Sequence, residues 1–252
     1  MKHITAIIQA RMSSSRLPGK VLMPLGDVPI LELIIRRLRL VKRIDTIIVA
    51  TSDGAEDDPI AQLCATLGVA VVRGDLHDVL TRFNLAVEQY PSQHYIRITA
   101  DCPFTDPDLI NNLIDSHLSS NADYSSNALH PTYPDGFDAE IFTCHAFNKT
   151  LLSANKQYER EHVTYFIYTH PDIFVINSVN GVCDKSSYRV TVDTQEDYIF
   201  VNNLVRDIGM NSIDIRFKDV VDFLDSCPVE YFINSNEIRN SGLQKSICEE
   251  KI

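Results

Sequence analysis

Residues 4–22 read ITAIIQARMSSSRLPGKVL: an apolar run over residues 4–8 empties directly into three serines and three cations, Arg11, Arg16 and Lys20. The run has strand length and no polar alternation, which predicts a strand buried on both faces of a sheet. Residues 30–41 place Leu31, Ile34, Ile35, Leu38 and Val41 on one helical face, and residues 46–50, Thr-Ile-Ile-Val-Ala, read as a second strand ending at Thr51-Ser52-Asp53-Gly54. Strand, helix and strand in that order predict a parallel pair joined by a crossover.

The pattern continues outward. Asp58-Pro59 opens a helix to about Leu67, with proline in the first turn, where its missing N–H does no harm, and Gly68 ends it. Residues 69–72 read as a strand, and a helix from about Leu76 to Tyr90 carries Leu76, Val79, Leu80, Phe83, Ala86 and Val87 at helical spacing. Residues 94–98 are a further strand, and Asp106-Pro107 opens a helix to about Leu118. This alternation predicts an α/β fold of three layers with a mostly parallel sheet. Ligands of such sheets collect at the carboxyl ends of the strands, which singles out residues 9–22, 51–54, 74–78 and 99–106.

From about residue 121 to 180 the alternation weakens, and the stretch, rich in Tyr, His, Asn and Pro, reads as an inserted lobe that completes a site. A strand is expected over 188–192 and a helix over 195–206. The expected organisation is one domain over residues 1–226 with the lobe at about 121–180, then a C-terminal tail, 227–252, without clear periodicity.

The formal net charge is −11, which argues against broad nucleic-acid binding. Residues 1–43 nevertheless carry nine cations against two acids, so one end of an acidic chain is basic, which suits a small polyanion. The six cysteines form no CxxC pair, so reduced thiols are expected rather than a disulfide framework or a zinc site. With no apolar stretch near 18 residues and no signal-peptide pattern at the N-terminus, the expectation is a cytoplasmic protein without membrane contact.

A strand-to-helix loop with small residues, a Pro-Gly turn and three cations can wrap a triphosphate, backbone N–H groups taking oxygens while Arg11, Arg16 and Lys20 offset charge. It lacks the GxxxxGK[ST] spacing of a P-loop. In Thr99-Ala100-Asp101-Cys102-Pro103 an acid at a strand end either caps the turn or aims a hard oxygen ligand into the cleft, as magnesium on nucleotide phosphates needs. In Val192-Asp193-Thr194-Gln195-Glu196-Asp197, Thr194 suits a helix N-cap with Glu196 and Asp197 in the first turn. Asp135-Gly136-Phe137-Asp138-Ala139-Glu140 would set Asp138 and Glu140 on one strand face, and Arg160-Glu161-His162 supplies a cation and an imidazole. For these last groups surface ion pairs are the alternative reading.

The loop from Arg11 to Lys20 resembles the signature loop of the CTP-dependent cytidylyltransferases that activate acid sugars such as 3-deoxy-manno-octulosonate and the sialic acids. A nearer likeness is to the spore-coat-polysaccharide cytidylyltransferase-like family, through DDPI, RGDLHDVLTRF, RITADCPFTDPDLI, YPDGFDAE, REHVT and TVDTQEDY, which span residues 4–200. The resemblance implies a Rossmann-like nucleotidyltransferase fold of the glycosyltransferase-A type, Mg2+ held by Asp101 and Asp193, and a homodimer formed through the lobe. It implies coupling of CTP to an acid sugar, giving a CMP-sugar and pyrophosphate for surface polysaccharide synthesis, with Arg11, Lys20 and Asp101 catalytic. The implied nucleotide-binding set is Ala10, Arg11, Ser14, Arg16, Lys20, Asp78, Arg82 and Thr99. Acceptor binding falls to Asp135, Asp138, Glu140, Arg160 and His162, Arg160 being suited to a carboxylate because a guanidinium meets it bidentately.

The chain also departs from the octulosonate enzymes. Where they have Gln-Ser-Gly-Thr-Glu-Arg, linked to base recognition, it has residues 77–82, HDVLTR, and Thr99 replaces a Gln before the metal Asp. Transfer to a sugar 1-phosphate or an alditol phosphate from UTP, GTP or CTP, and a silent nucleotide-sensing or glycosyltransferase-like module, stay open at this point. Residues 121–180 offer only Lys149, Lys156 and Arg160 as cations, which favours an unphosphorylated acceptor.

Overall fold

The computed structural model describes residues 3–234, 239 and 241–250. The chain runs β1 (Ile4–Gln9), β2 (Pro24–Leu25), β3 (Val28–Pro29), α1 (Ile30–Leu38), β4 (Thr46–Ser52), α2 (Asp58–Leu67), β5 (Ala70–Gly74), α3 (Val79–Gln89), β6 (His94–Thr99) and α4 (Pro107–Ser120). It continues with β7 (Tyr124–Ser126), β8 (Glu140–Thr143), α5 (Cys144–Ser153), α6 (Gln157–Glu161), α7 (Tyr165–Tyr168), β9 (Ile176–Ser178), α8 (Gln195–Ile208), α9 (Phe217–Ser226) and α10 (Ser241–Glu249). Seven strands form one sheet in the order β5-β4-β1-β6-β8-β7-β9. β8 alone runs against the others, so the sheet is mostly parallel.

Both faces of the sheet are covered. Ile4, Ala6 and Ile8 of β1 pack into a core with α1, α2, α4, α8 and α9, while Ile7 packs into a second core with α3, α5 and residues 163–174. These are the three layers that the apolar run predicted. Several helix boundaries have local causes. Asp78 caps α3 by accepting the Thr81 N–H, so the helix starts at Val79 rather than near Leu76. Asp106 accepts the N–H groups of Asp108 and Leu109 ahead of α4, and Gly68 closes α2 in the left-handed conformation.

Residues 188–192 are extended but form no strand: Asp135 and Arg189 make a single parallel bridge. The buried alternation of Val190 and Val192 reflects core packing, while the backbone partners are loop carbonyls, Val190 N–H to Asp135 O at 2.7 Å and Val192 N–H to Asp101 O at 2.8 Å. The weak alternation over 121–180 also has a cause. β7, β8 and β9, of three or four residues each, extend the main sheet, and strands so short leave no readable period. Among the described residues no helix is long and apolar enough to cross a membrane.

Because β4 and β5 add on one side of β1 and β6 on the other, the side on which successive parallel strands are added reverses between β1 and β6. The loops leaving these two strands, residues 10–20 and 100–106, border the crevice where such sheets bind ligands.

Candidate active site

The loop after β1 is held in shape by its own backbone. Met12 O accepts from both Ser14 N–H and Gly19 N–H at 2.9 Å, and Gly19, at φ 75°, makes the return that a side chain would strain. Buried Asp57 fastens the loop to β4, accepting from Met12 N–H at 2.6 Å and from the Thr51 hydroxyl and Ser52 N–H at 2.9 Å each. Burial raises the Asp57 carboxyl, and these hydrogen bonds outweigh it, so its pKa ends below the ordinary value. Ala10 is buried, Ser14 Oγ accepts weakly from Leu17 N–H at 3.4 Å, and Leu17 and Val21 anchor the loop in the core.

That scaffold points Lys20 into the crevice with its side chain 10% exposed. Its Nζ lies 2.5 Å from Asp193 Oδ1 and 3.6 Å from Asp101 Oδ2, and Arg16 Nη2 lies 2.9 Å from Asp193 Oδ2. Residues 92 positions apart therefore share one ammonium. Asp101 is placed by its own carbonyl, which accepts from the Thr191 hydroxyl and Val192 N–H. Burial raises the Asp101 carboxyl, but Lys20 and hydrogen bonds from Thr99 and Cys102 outweigh it, so its pKa ends below the ordinary value. Asp193 is placed by α8: Thr194 and Asp197 form a capping box, and Asp197 Oδ2 accepts the Asp193 N–H at 3.0 Å.

On the adjoining wall Arg189 connects the acids. Its Nε and Nη2 meet Asp197 at 2.9 and 2.8 Å, Nη1 meets Asp135 at 2.5 Å, and Nη2 lies 3.6 Å from Asp193. Gly136, at φ 112°, lets the 135–138 turn reach this segment, since a Cβ there would sit 2.5 Å from Thr191 N. Asp138 bonds Arg239; burial, opposed by that arginine and reinforced by Asp135, Asp101 and Glu140, pushes its pKa up to about 7. Asp135 is raised as well, burial outweighing Arg239 and Arg189.

Other expected site residues lie elsewhere or are spent. Glu140 accepts from Arg97 Nη1 and the Tyr124 hydroxyl at 2.6 Å and from the Thr164 hydroxyl at 2.8 Å, and Arg97 also reaches Gln9. Asp138 precedes β8, so the two acids do not share a strand face. Arg160 does not meet Asp135 or Asp138: its Nε and Nη2 both hold Asp78 Oδ2, at 3.0 and 2.7 Å, and Nη1 donates to Ala154 O. This pair borders a cavity of about 410 Å³ that also takes in His77 and Glu250. His162 is half-buried beside Ser246, and burial lowers its pKa to about 4, so it is neutral at physiological pH.

Arg82 is fully buried under the loop after β5, donating through Nη1 to Asp75 O and Leu76 O. Its Nε and Nη2 have no hydrogen-bond partner among the described residues. Burial, then the neighbouring Arg11 charge, lowers its pKa to about 10. Sequence reasoning passed over Asp57, which sits in a run of acids that reads as helix capping, and Arg189, which reads as a strand residue. Arg239 and Asn234, in the tail, carried no motif.

Among the described residues no three His, Cys, Asp or Glu side chains are grouped to hold a metal ion. Asp101 and Asp193, two hard oxygen donors already sharing one positive charge, fit a small divalent ion whose remaining ligands come from phosphate and water.

Residues 5–231 match the model of a cytidylyltransferase family. The chain is 40% identical over 235 residues to the uncharacterized protein MJ1063 of Methanocaldococcus jannaschii, covering 92% of this chain and 95% of that one. It is 33% identical over 237 residues to the spore coat polysaccharide biosynthesis protein SpsF of Bacillus subtilis, covering 90% and 96%. A solved cytidylyltransferase from Leptospira borgpetersenii superposes with a TM-score of 0.87 at 29% identity, covering 94% of this chain and 99% of that one. Fold and sequence agree: the chain belongs to the cytidylyltransferase family and is a nucleotidyltransferase.

Proposed function

We propose that the crevice couples CTP to an acid sugar of the octulosonate or nonulosonate type, with Mg2+, giving a CMP-sugar and pyrophosphate for surface polysaccharide synthesis. The observation that carries this reading is the meeting of Lys20 with Asp101 and Asp193 at the reversal point of the sheet. In this reading the 10–20 loop takes the triphosphate, with Arg11 and Arg16 along it and Lys20 at its inner end. Arg82, whose Nε and Nη2 are buried with no hydrogen-bond partner among the described residues, serves the nucleotide from the β5 side, together with Thr99 and Asp78.

The acceptor hydroxyl gives its proton to water, and its oxygen bonds to the α-phosphorus as the bond to the pyrophosphate oxygen breaks. Little covalent chemistry falls to the protein, whose task is alignment and charge. Lys20 and Arg11 face the negative charge that grows on the phosphates, and the rigid loop holds them without reorganisation. Mg2+ on Asp101 and Asp193 would supply Lewis-acid polarisation of the phosphates. Asp135 and Asp138 form the acceptor wall. Two copies joined through residues 121–180 complete the proposed assembly.

The test is pyrophosphate release from CTP, UTP, GTP and ATP, each with Mg2+ and a panel of octulosonates, nonulosonates and sugar phosphates. CTP with an acid sugar is the expected pair. Release only with a sugar phosphate replaces the acceptor, and nucleotide binding without release from any pair overturns the activity.

A further inference from the structure

Asn234 and Arg239 bring the C-terminal part of the chain to the acids of this wall. Asn234 is buried, and its Nδ2 donates to Asp197 Oδ1 at 2.8 Å and to Arg189 O at 3.3 Å. Beyond it, Arg239 donates through Nη1 to Tyr133 O at 3.2 Å and through Nη2 to Asp138 Oδ1. Farther on, α10 docks on α6: the Ser246 hydroxyl donates to Glu161 at 2.9 Å, and Glu250 accepts the N–H groups of Gln157 and Tyr158 at 3.1 and 3.3 Å. Arg239 thus stands between two anchored ends.

A guanidinium binds a carboxylate best through two parallel N–H groups on one edge. Three arginines, Arg189, Arg160 and Arg97, have that Nε/Nη2 edge occupied, and a fourth, Arg82, assigned above to the nucleotide, has it unoccupied among the described residues. Asp197 fills it on Arg189, Asp78 on Arg160, and Gln9 on Arg97. On Arg239 it is half filled. Asp138 takes Nη2 through one oxygen, while Nε is buried, has no hydrogen-bond partner among the described residues, and lies 4.0 Å from Asp135 Oδ1, beyond hydrogen-bond reach. A charged buried donor left unmade is costly, and such groups gather where a ligand completes them.

Position points the same way. In an octulosonate or nonulosonate the carboxylate is bonded to the anomeric carbon that bears the attacking hydroxyl, so the group that receives it must adjoin the reaction centre. Arg239 meets this condition: Asp135, 4.0 Å from its Nε, takes Arg189 Nη1 at 2.5 Å, and Arg189 Nη2 in turn lies 3.6 Å from Asp193. Arg160, tied to Asp78 at the edge of a separate cavity, does not.

Resting on the acid-sugar reading, we propose that Arg239 receives the acceptor's carboxylate on its Nε/Nη2 edge and thereby selects acid sugars. Asp138 holds the cation paired until the acceptor's carboxylate replaces it, and is then turned to the sugar hydroxyls.

The experiment compares the full-length protein with its Arg239→Ala and Arg239→Lys variants. Pyrophosphate release is measured with CTP and 3-deoxy-manno-octulosonate or N-acetylneuraminate, and with the carboxamide of each. Arg239→Ala should raise KM for the acid at least tenfold, abolish the preference of acid over carboxamide, and leave the calorimetric Kd for CTP within twofold. Lysine, a single point of charge, should restore part of the preference, and it also serves if the alanine variant fails to fold by circular dichroism. Equal losses on acid and carboxamide, or no loss on the acid, overturn this assignment alone. A wild-type protein that uses only neutral or phosphorylated acceptors overturns the acid-sugar reading with it.

Discussion

Lys20 is 10% exposed, lies against two carboxylates, and is fixed by a loop in which the N–H groups of Ser14 and Gly19 meet Met12 O and that of Lys20 meets Leu17 O, so its position is set before any ligand arrives. Substituting Asp101→Asn keeps the shape and removes the charge that Lys20 faces. Pyrophosphate release should fall about 10²- to 10³-fold with unchanged circular dichroism, and wild-type turnover would remove Asp101 from the chemistry. Gly136→Ala tests the wall instead. A Cβ 2.5 Å from Thr191 N, at φ 112°, should cost about 2–4 kcal/mol in urea unfolding. Lys20, Asp101 and Asp193 were legible in the sequence because each stands at an element boundary in a recognisable motif. The partners of Arg160 and Glu140 were not, since Asp78 is 82 positions from Arg160 and Arg97 is 43 from Glu140. A lone arginine such as Arg239 leaves no trace of the surface it will meet.

The main-sheet strands and the helices before residue 120 could be read because both faces of the sheet are covered, so each of these strands is a short apolar block between amphipathic helices, whereas the two-residue strands β2 and β3 carry no pattern. Beyond it the same sheet continues in strands too short for periodicity, and the 188–192 alternation misled because burial, not strand pairing, produced it. The start of α8 shows what one cap can carry: Asp197 closes the capping box, holds the Asp193 N–H, fills the Arg189 edge and bonds Asn234. Asp197→Ala leaves Arg189 buried without that partner and should destabilise the protein by about 3–5 kcal/mol. Burial raises the Asp197 carboxyl, but Arg189 and Asn234 prevail and hold it below its ordinary 3.8. A carboxyl depressed by folding stabilises above its unfolded value and ceases to do so as pH falls through its folded one. The difference in Tm between wild type and variant should therefore be full at pH 6 and shrink below about pH 4; a difference constant down to pH 2 would contradict the ion pair.

Across the whole chain, the cysteines sort by depth. Cys64 and Cys102 are buried with thiols raised by burial, whereas Cys183 and Cys248 are exposed. A thiol reagent should modify Cys183 and Cys248 in the native protein and reach Cys64 and Cys102 only after unfolding, as peptide mapping would show. The separation of charge along the chain has a counterpart in space, because the basic loop is latched to Asp193 through both Arg16 and Lys20. Nucleotide entry is then an exchange of anions inside the protein rather than a release of ions to the solvent. Affinity for CTP in EDTA should depend only weakly on potassium chloride, since the cations are already compensated. Asp193→Asn, by baring them, should bind CTP more tightly and lose that affinity steeply as salt rises, so that one carboxylate sets the ionic-strength tolerance of the protein.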